Sequence, residues 1–149
     1  MATVRLNSMI WTVCLFMVFF CIGSSSLLAD TIVSHMETRR DYDLTEIDGN
    51  APTRPLRFYI GENSAFAICG RCLCGTGIMK GRYPKLRIRP TSASPACSWD
   101  SPGIKADSPL VEKFFSMTRV TAAEDILVFS NDDGKKMRFK LGGSKLSPP

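Results

Sequence analysis

Residues 126–141 read ILVFSNDDGKKMRFKL. Ile126-Leu127-Val128-Phe129 is a run of strand formers, Asn131-Asp132-Asp133-Gly134 has turn chemistry, and Met137, Phe139 and Leu141 alternate with Lys136, Arg138 and Lys140. Successive side chains on a strand point to opposite faces, so the returning run sends apolar residues one way and cations the other. The stretch predicts a β-hairpin with one dry face and one wet face. Asp132-Asp133-Gly134 also looks like a fragment of a calcium loop, but the bidentate Glu and the other spaced oxygens are missing. The hairpin turn is therefore the reading taken.

The same alternation recurs upstream. Leu56, Phe58 and Ile60 alternate with Arg57 and Tyr59, and Gly61-Glu62-Asn63 makes a turn. Phe66 and Ile68 then share a face opposite Ala65 and Ala67; Ile78 and Met79 precede Gly81; Leu86 and Ile88 alternate with Lys85, Arg87 and Arg89. Short strands separated by turn residues predict an antiparallel sheet with one solvated face. Pro90 to Pro109 reads as a loop, with prolines at 90, 95, 102 and 109. Ser108-Pro109 then reads as the cap and first residue of a helix, because Ser accepts from a free amide and Pro has none to lose. Leu110, Val111, Phe114, Phe115 and Met117 form its apolar stripe, Glu112 sits in its favourable first turn, and it should stop between Thr118 and Thr121.

The first residues have a different character. Arg5 is the only charge before Asp30, Ile10 to Ile22 is apolar apart from Thr12, and Gly23-Ser24-Ser25-Ser26 and Leu27-Leu28-Ala29 follow. This is the charge, apolar run and small-residue zone of a secretory signal peptide. As a helix the apolar run would rise about 20 Å, short of the roughly 30 Å hydrocarbon core. An uncleaved N-terminal membrane anchor is the alternative. The expected organisation is a signal peptide at 1–29, a flexible leader at 30–41, a folded domain at 42–141 and a flexible tail at 142–149. An exported, monomeric chain with no transmembrane segment after cleavage is expected. Residues 30–149 are enough for one core.

Cys14 and Cys21 leave with the signal peptide, and Cys69, Cys72, Cys74 and Cys97 remain. An even count in an oxidising compartment reads as disulfides, and four cysteines allow three connectivities. One long-range bridge to Cys97 is expected. It would close a loop of about 25 residues and stabilise by roughly 3 kcal/mol. The alternatives are a four-thiolate zinc site, for which the second C-x-x-C pair is missing, and a redox C-x-x-C, for which the glycines at 70, 75 and 77 argue against the required helix.

Composition removes much of the enzyme menu. The chain has 149 residues, 44% hydrophobic, with a formal net charge of +5, so it is neither disordered nor strongly polyanionic. Its one histidine, His35, falls in the leader, where solvent exposure is expected. A Ser-His-Asp triad, a Cys-His pair or an H-E-x-x-H zinc site would each need histidine in the folded body. No catalytic residue, metal site or cofactor is expected. Between Glu62 and Asp100 there is no acidic residue but six basic ones: Arg71, Lys80, Arg82, Lys85, Arg87 and Arg89. They read as a solvated sheet face or as a basic surface for an anionic envelope polymer, lipid headgroups or an acidic partner. Nucleic acid is not expected, because neither Tyr59 nor Tyr83 sits in an RNA-binding run.

The order of these elements resembles the META/HslJ domain family from about Tyr42 to Leu141. The matching residues are Tyr42-Asp43-Leu44, Ile47-Asp48-Gly49, Leu56-Arg57-Phe58, Cys72 with Gly77, Leu86 to Ile88, Cys97, Glu112 to Phe115, Val120, Leu127-Val128-Phe129, Asp133-Gly134 and Phe139. Leu73 stands where the family has Asn, Ala93 and Pro95 replace its Thr and Met, and Cys69 and Cys74 are additional. The resemblance implies an α+β, mainly β fold: a curved, partly barrel-like antiparallel sheet packed by one helix. Its cysteine positions favour pairing Cys72 with Cys97. It also implies a periplasmic or envelope location and a link to heat shock and envelope stress, with no catalytic residue to carry over. The resulting expectation is a non-catalytic exported domain that supports envelope integrity by binding an unknown protein or envelope component. The alternatives are a metal or redox protein using the four cysteines, and a small inhibitor of a secreted enzyme that uses the loop from Ser92 to Pro102.

Overall fold

The hairpin at 126–141 is formed by β7 (Ile126–Ser130) and β8 (Lys136–Leu141), with Leu127 opposite Phe139 and Phe129 opposite Met137. All four side chains are buried. The computed structural model describes residues 32–142. The expected signal peptide, the start of the leader and residues 143–149 of the tail lie outside the described residues.

Six further strands complete one antiparallel sheet: β1 (Arg40–Ile47), β2 (Arg57–Ile60), β3 (Ala65–Cys69), β4 (Leu73–Lys80), β5 (Arg87–Pro95) and β6 (Arg119–Ala123). A helix, α1 (Pro102–Phe115), lies between β5 and β6 in the chain. The spatial order is β5-β4-β3-β2-β1-β8-β7-β6. The two ends of this order curl toward each other. Lys85 bridges to Arg119, Leu86 N–H donates to Thr118 O at 2.7 Å, and Val120 N–H donates to Pro84 O at 2.9 Å. Among the described residues the result is a curled half-barrel packed by one helix, the α+β, mainly β fold expected.

The inward face follows the alternation. Tyr42 and Leu44, Phe58 and Ile60, Phe66 and Ile68, and Phe129 and Phe139 meet Val111 and Phe114 of α1 in one apolar cluster. Phe58 is the hub, with ring centroids 5.4 Å from Phe114, 5.3 Å from Phe129 and 5.8 Å from Phe139. On β4 the inward positions are Leu73, Gly75, Gly77 and Met79. A Cβ on Gly75 would lie 2.7 Å from the Phe115 ring and 2.9 Å from Val111. Glycine at that position lets α1 approach the sheet.

Three expectations need correction. The helix starts at Pro102, not Pro109: Ser101 is the N-cap, its side-chain oxygen accepts from Ile104 N–H, and Pro109 lies exposed inside the helix. The loop expected from Pro90 to Pro109 is largely regular, with β5 running to Pro95 and α1 starting at 102. β5 is an edge strand, where proline costs no ladder bond on the solvent side. The described part of the leader is not loose: Ile32–His35 is a 3-10 turn, and Ile32 and Met36 are buried in the core.

Candidate functional site

One end of the half-barrel is cross-linked. The β3–β4 turn is short, and the facing residues Cys69 and Cys74 form a disulfide with Cα atoms 4.1 Å apart. Cys72, inside the turn, is bridged to Cys97 in the loop after β5 with Cα atoms 5.0 Å apart. Ala96 N–H donates to Cys72 O at 2.8 Å beside that bridge. All four cysteine sulfurs are in disulfides, so none is a thiolate. Such bonds mark an oxidising, extracytoplasmic environment. Among the described residues no group of three or more His, Cys, Asp or Glu side chains is arranged to hold a metal.

A buried carboxylate locks this end to the helix. Asp107 of α1 is fully buried. Its Oδ2 accepts from Cys72 N–H at 2.6 Å and Leu73 N–H at 3.3 Å, and its Oδ1 accepts from Arg54 Nε at 2.9 Å. A Cβ on Gly70 would lie 2.5 Å from the Asp107 carboxyl. The turn backbone therefore has to come this close for the hydrogen bonds to form. Neither Asp107 nor Arg54 figures in the sequence reading. The available signal was a charged residue within the stripe Ile104, Asp107, Val111, Phe114, and it becomes visible only when the helix is started at Pro102.

Two exposed side chains flank the Cys72–Cys97 bridge. Arg71 precedes Cys72, and Trp99 follows Cys97 by two residues. Trp99 is 60% exposed, far more than any other large apolar side chain of the described chain. The turn that carries it closes with Ser101 N–H donating to Ser98 O at 2.9 Å. A flat aromatic held out by a disulfide-tied loop is a typical anchor for protein contact.

The other five basic residues gather at the opposite end. Arg87 faces Lys80 and Arg89 faces Ile78 across β4 and β5, and Arg82 and Lys85 lie in the connecting turn. All five are exposed, and among the described residues no carboxylate is ion-paired with any of them. Arg71 is separated from this group by the length of β4, about 25 Å for eight residues. His35 is exposed, as expected, but its ring stacks on Tyr83 of the same turn with centroids 4.0 Å apart.

Two carboxylates of β1 and its following turn have shifted acidity. Asp41 is buried, and its Oδ2 has no hydrogen-bond partner. Burial pushes its carboxyl up, against the pull of Arg57. Asp48 accepts from Lys113 Nζ and, at 2.7 Å, from Lys136 N–H, and these hydrogen bonds hold its carboxyl below the usual range. Asp48 thus ties α1 to the start of β8.

No protein-family model matches the chain, and no curated protein matches it. Among solved structures, the chain is similar to a protein from Burkholderia xenovorans determined by NMR, with 14% identity and a TM-score of 0.52, over 75% of this chain and 88% of that one. It is also similar to a second NMR structure at 15% identity and a TM-score of 0.50, over 71% of this chain and 96% of that one. A crystallised DUF4847 family protein from Bacteroides vulgatus matches at 9% identity and a TM-score of 0.47, over 62% of this chain and 61% of that one. The first two likenesses concern the fold alone. No helix among the described residues is long and apolar enough to cross a membrane.

Proposed function

We propose that this chain is a non-catalytic, exported META/HslJ-like domain that engages a protein or envelope component through its disulfide-bonded end. The observation that carries the reading is Trp99. It is an aromatic side chain 60% exposed on a loop fixed by the Cys72–Cys97 bridge. Loops are a common seat of function when a rigid scaffold holds them. A pre-organised aromatic anchor binds without a large ordering cost. The family proposal is supported by where the matching residues fall: Tyr42-Asp43-Leu44 on β1, Gly77 on β4, Glu112 to Phe115 on α1, and Phe129 and Phe139 on the final hairpin. Export to the periplasm or cell envelope, by way of a signal peptide at 1–29, is supported by the two disulfides. A role under heat or envelope stress belongs to the same family proposal.

The test is a photoreactive amino acid placed at Trp99, in cells that make the protein, with a second probe at Lys135 in the β7–β8 turn as a control. The reading expects a discrete cross-linked protein from position 99, lost when Arg71 is reversed to Glu, and none from position 135. Equal cross-linking at both positions contradicts it. So does a substrate turned over by the purified protein and lost on one point substitution. If the captured partner is a secreted enzyme whose activity the protein lowers, the role is that of an inhibitor.

A further inference from the structure

The end of the half-barrel opposite Trp99 joins two features that have no part in that reading. One is the cluster of Lys80, Arg82, Lys85, Arg87 and Arg89, with Ile78 exposed among them. The other is the point at which the described chain begins. A Cβ on Gly81 would lie 3.2 Å from Ile32 Cδ1, and His35 stacks on Tyr83. Gly81 and Tyr83 belong to the same β4–β5 turn as Arg82 and Lys85, so the chain enters the fold at the basic turn.

The apolar run Ile10 to Ile22 ends ten residues before Ile32. Ten residues reach at most about 35 Å when fully extended. If the run is kept as the alternative N-terminal anchor, the bilayer that holds it lies within that distance of Ile32, which packs at the basic turn; in the cleaved chain the exposed cations and Ile78 alone carry the attraction. Of the acidic residues near this end, Glu37 is paired with Arg40 and Glu62 with Arg39, and the exposed Glu124 and Asp125 lie on the β6–β7 turn next to Ala122, whose N–H donates to the Tyr83 hydroxyl, so the five cations keep a net positive charge against these two.

We infer that the β4–β5 hairpin is a membrane-facing surface that docks on the anionic headgroups of a lipid bilayer, with Ile78 at headgroup level and the Trp99 end turned away. A cation near an anionic leaflet contributes about fivefold in affinity, and the effect fades with salt over a Debye length. The surface rests on the export reading but not on the partner at Trp99, and the two are tested at opposite ends of the molecule.

The experiment uses protein expressed from the full 149-residue sequence and purified as the cell processes it. Phosphatidylcholine vesicles with and without phosphatidylglycerol are titrated, and lysine acetylation is mapped by mass on each. The expected result is that phosphatidylglycerol protects Lys80 and Lys85 but leaves Lys135 and Lys136 reactive. That readout holds even where an uncleaved apolar run binds the protein to every vesicle. The triple variant Lys80→Gln, Arg87→Gln, Arg89→Gln is expected to lose the protection of Lys85, its remaining reporter in the patch, and, on protein without the apolar run, about 100-fold in binding, with Arg71→Gln unchanged. All three positions are exposed, and a thermal melt matching the parent shows that the variant is folded. Equal acetylation of all four lysines on anionic vesicles, protection of Lys135 and Lys136 instead, or a triple variant that is protected like the parent overturns the proposal.

Discussion

The Asp107 carboxylate and the Cys72 backbone amide form the hydrogen bond that joins helix to sheet, with Oδ2 2.6 Å from the nitrogen. Cys72 is also bridged to Cys97, and Arg54 donates to the other oxygen of the same carboxylate. The turn that carries Arg71 and the loop that carries Trp99 are therefore fixed to one buried charge. Asp107→Ala leaves the Arg54 guanidinium and two amides without their acceptor. It is expected to destabilise the fold by about 3–5 kcal/mol, measured by urea denaturation. An unchanged midpoint would show that the carboxylate is not buried among these donors.

The two bridges should differ in weight. Cys72–Cys97 spans 25 residues and Cys69–Cys74 spans five. In the chain-entropy account the long bridge stabilises by about 3–3.5 kcal/mol and the short one by about 2. Paired serine substitutions, Cys72→Ser with Cys97→Ser and Cys69→Ser with Cys74→Ser, are expected to fall in that order in denaturant midpoint. The reverse order would contradict the loop-closure account of the two bridges.

Gly75→Ala is a test of the helix approach. The added methyl meets Phe115 and Val111 and should cost about 1–3 kcal/mol by overpacking. Adding Phe115→Leu should recover part of the loss, because the two sites are in contact. A fully additive double variant would contradict the packing.

Much of this was readable from local pattern, and some was not. The β7–β8 hairpin announces itself because Phe129, Met137 and Phe139 alternate with polar neighbours around Asp133-Gly134. Most of β4 is hidden because two of its inward residues are glycine, which carries no apolar signal. β5 is hidden because Pro90 and Pro95 read as loop, although an edge strand tolerates them. The helix start was misread because Ser101-Pro102 and Ser108-Pro109 carry the same capping signal, seven residues apart. The basic residues were all visible, but only the register of β4 and β5 separates five of them from Arg71. Asp107 and Arg54 are 53 residues apart, and single charges at that distance have no local pattern to betray them.

Acid should act on Asp41 and Asp48 in opposite directions. The native carboxyl of Asp41 holds its proton more tightly than the unfolded one, so the ionised form destabilises at neutral pH and the loss is relieved as pH falls through the native pKa. Asp41→Asn is expected to raise the neutral denaturant midpoint and to lose that advantage in acid. The native carboxyl of Asp48 is held down by Lys113 and Lys136, so its contribution is present above the unfolded pKa and is lost as pH falls through the native one. Asp48→Asn should therefore lower the neutral midpoint, with the gap closing in acid; Asn accepts the left-handed backbone at that position, where φ is +49°. Parallel pH profiles for the two variants would contradict the burial of one and the pairing of the other.

The most direct test of an exported, cross-linked binding domain is an intact mass with a peptide map of the protein as its own cell delivers it, recorded without reduction. The account predicts a chain lacking residues 1–29 and four hydrogens lighter than its reduced form, without metal. Its map should show Cys69 linked to Cys74 and Cys72 linked to Cys97. Free thiols, bound zinc or a different pairing at these four cysteines would contradict it, because the loop that presents Trp99 would then lose the frame that fixes it.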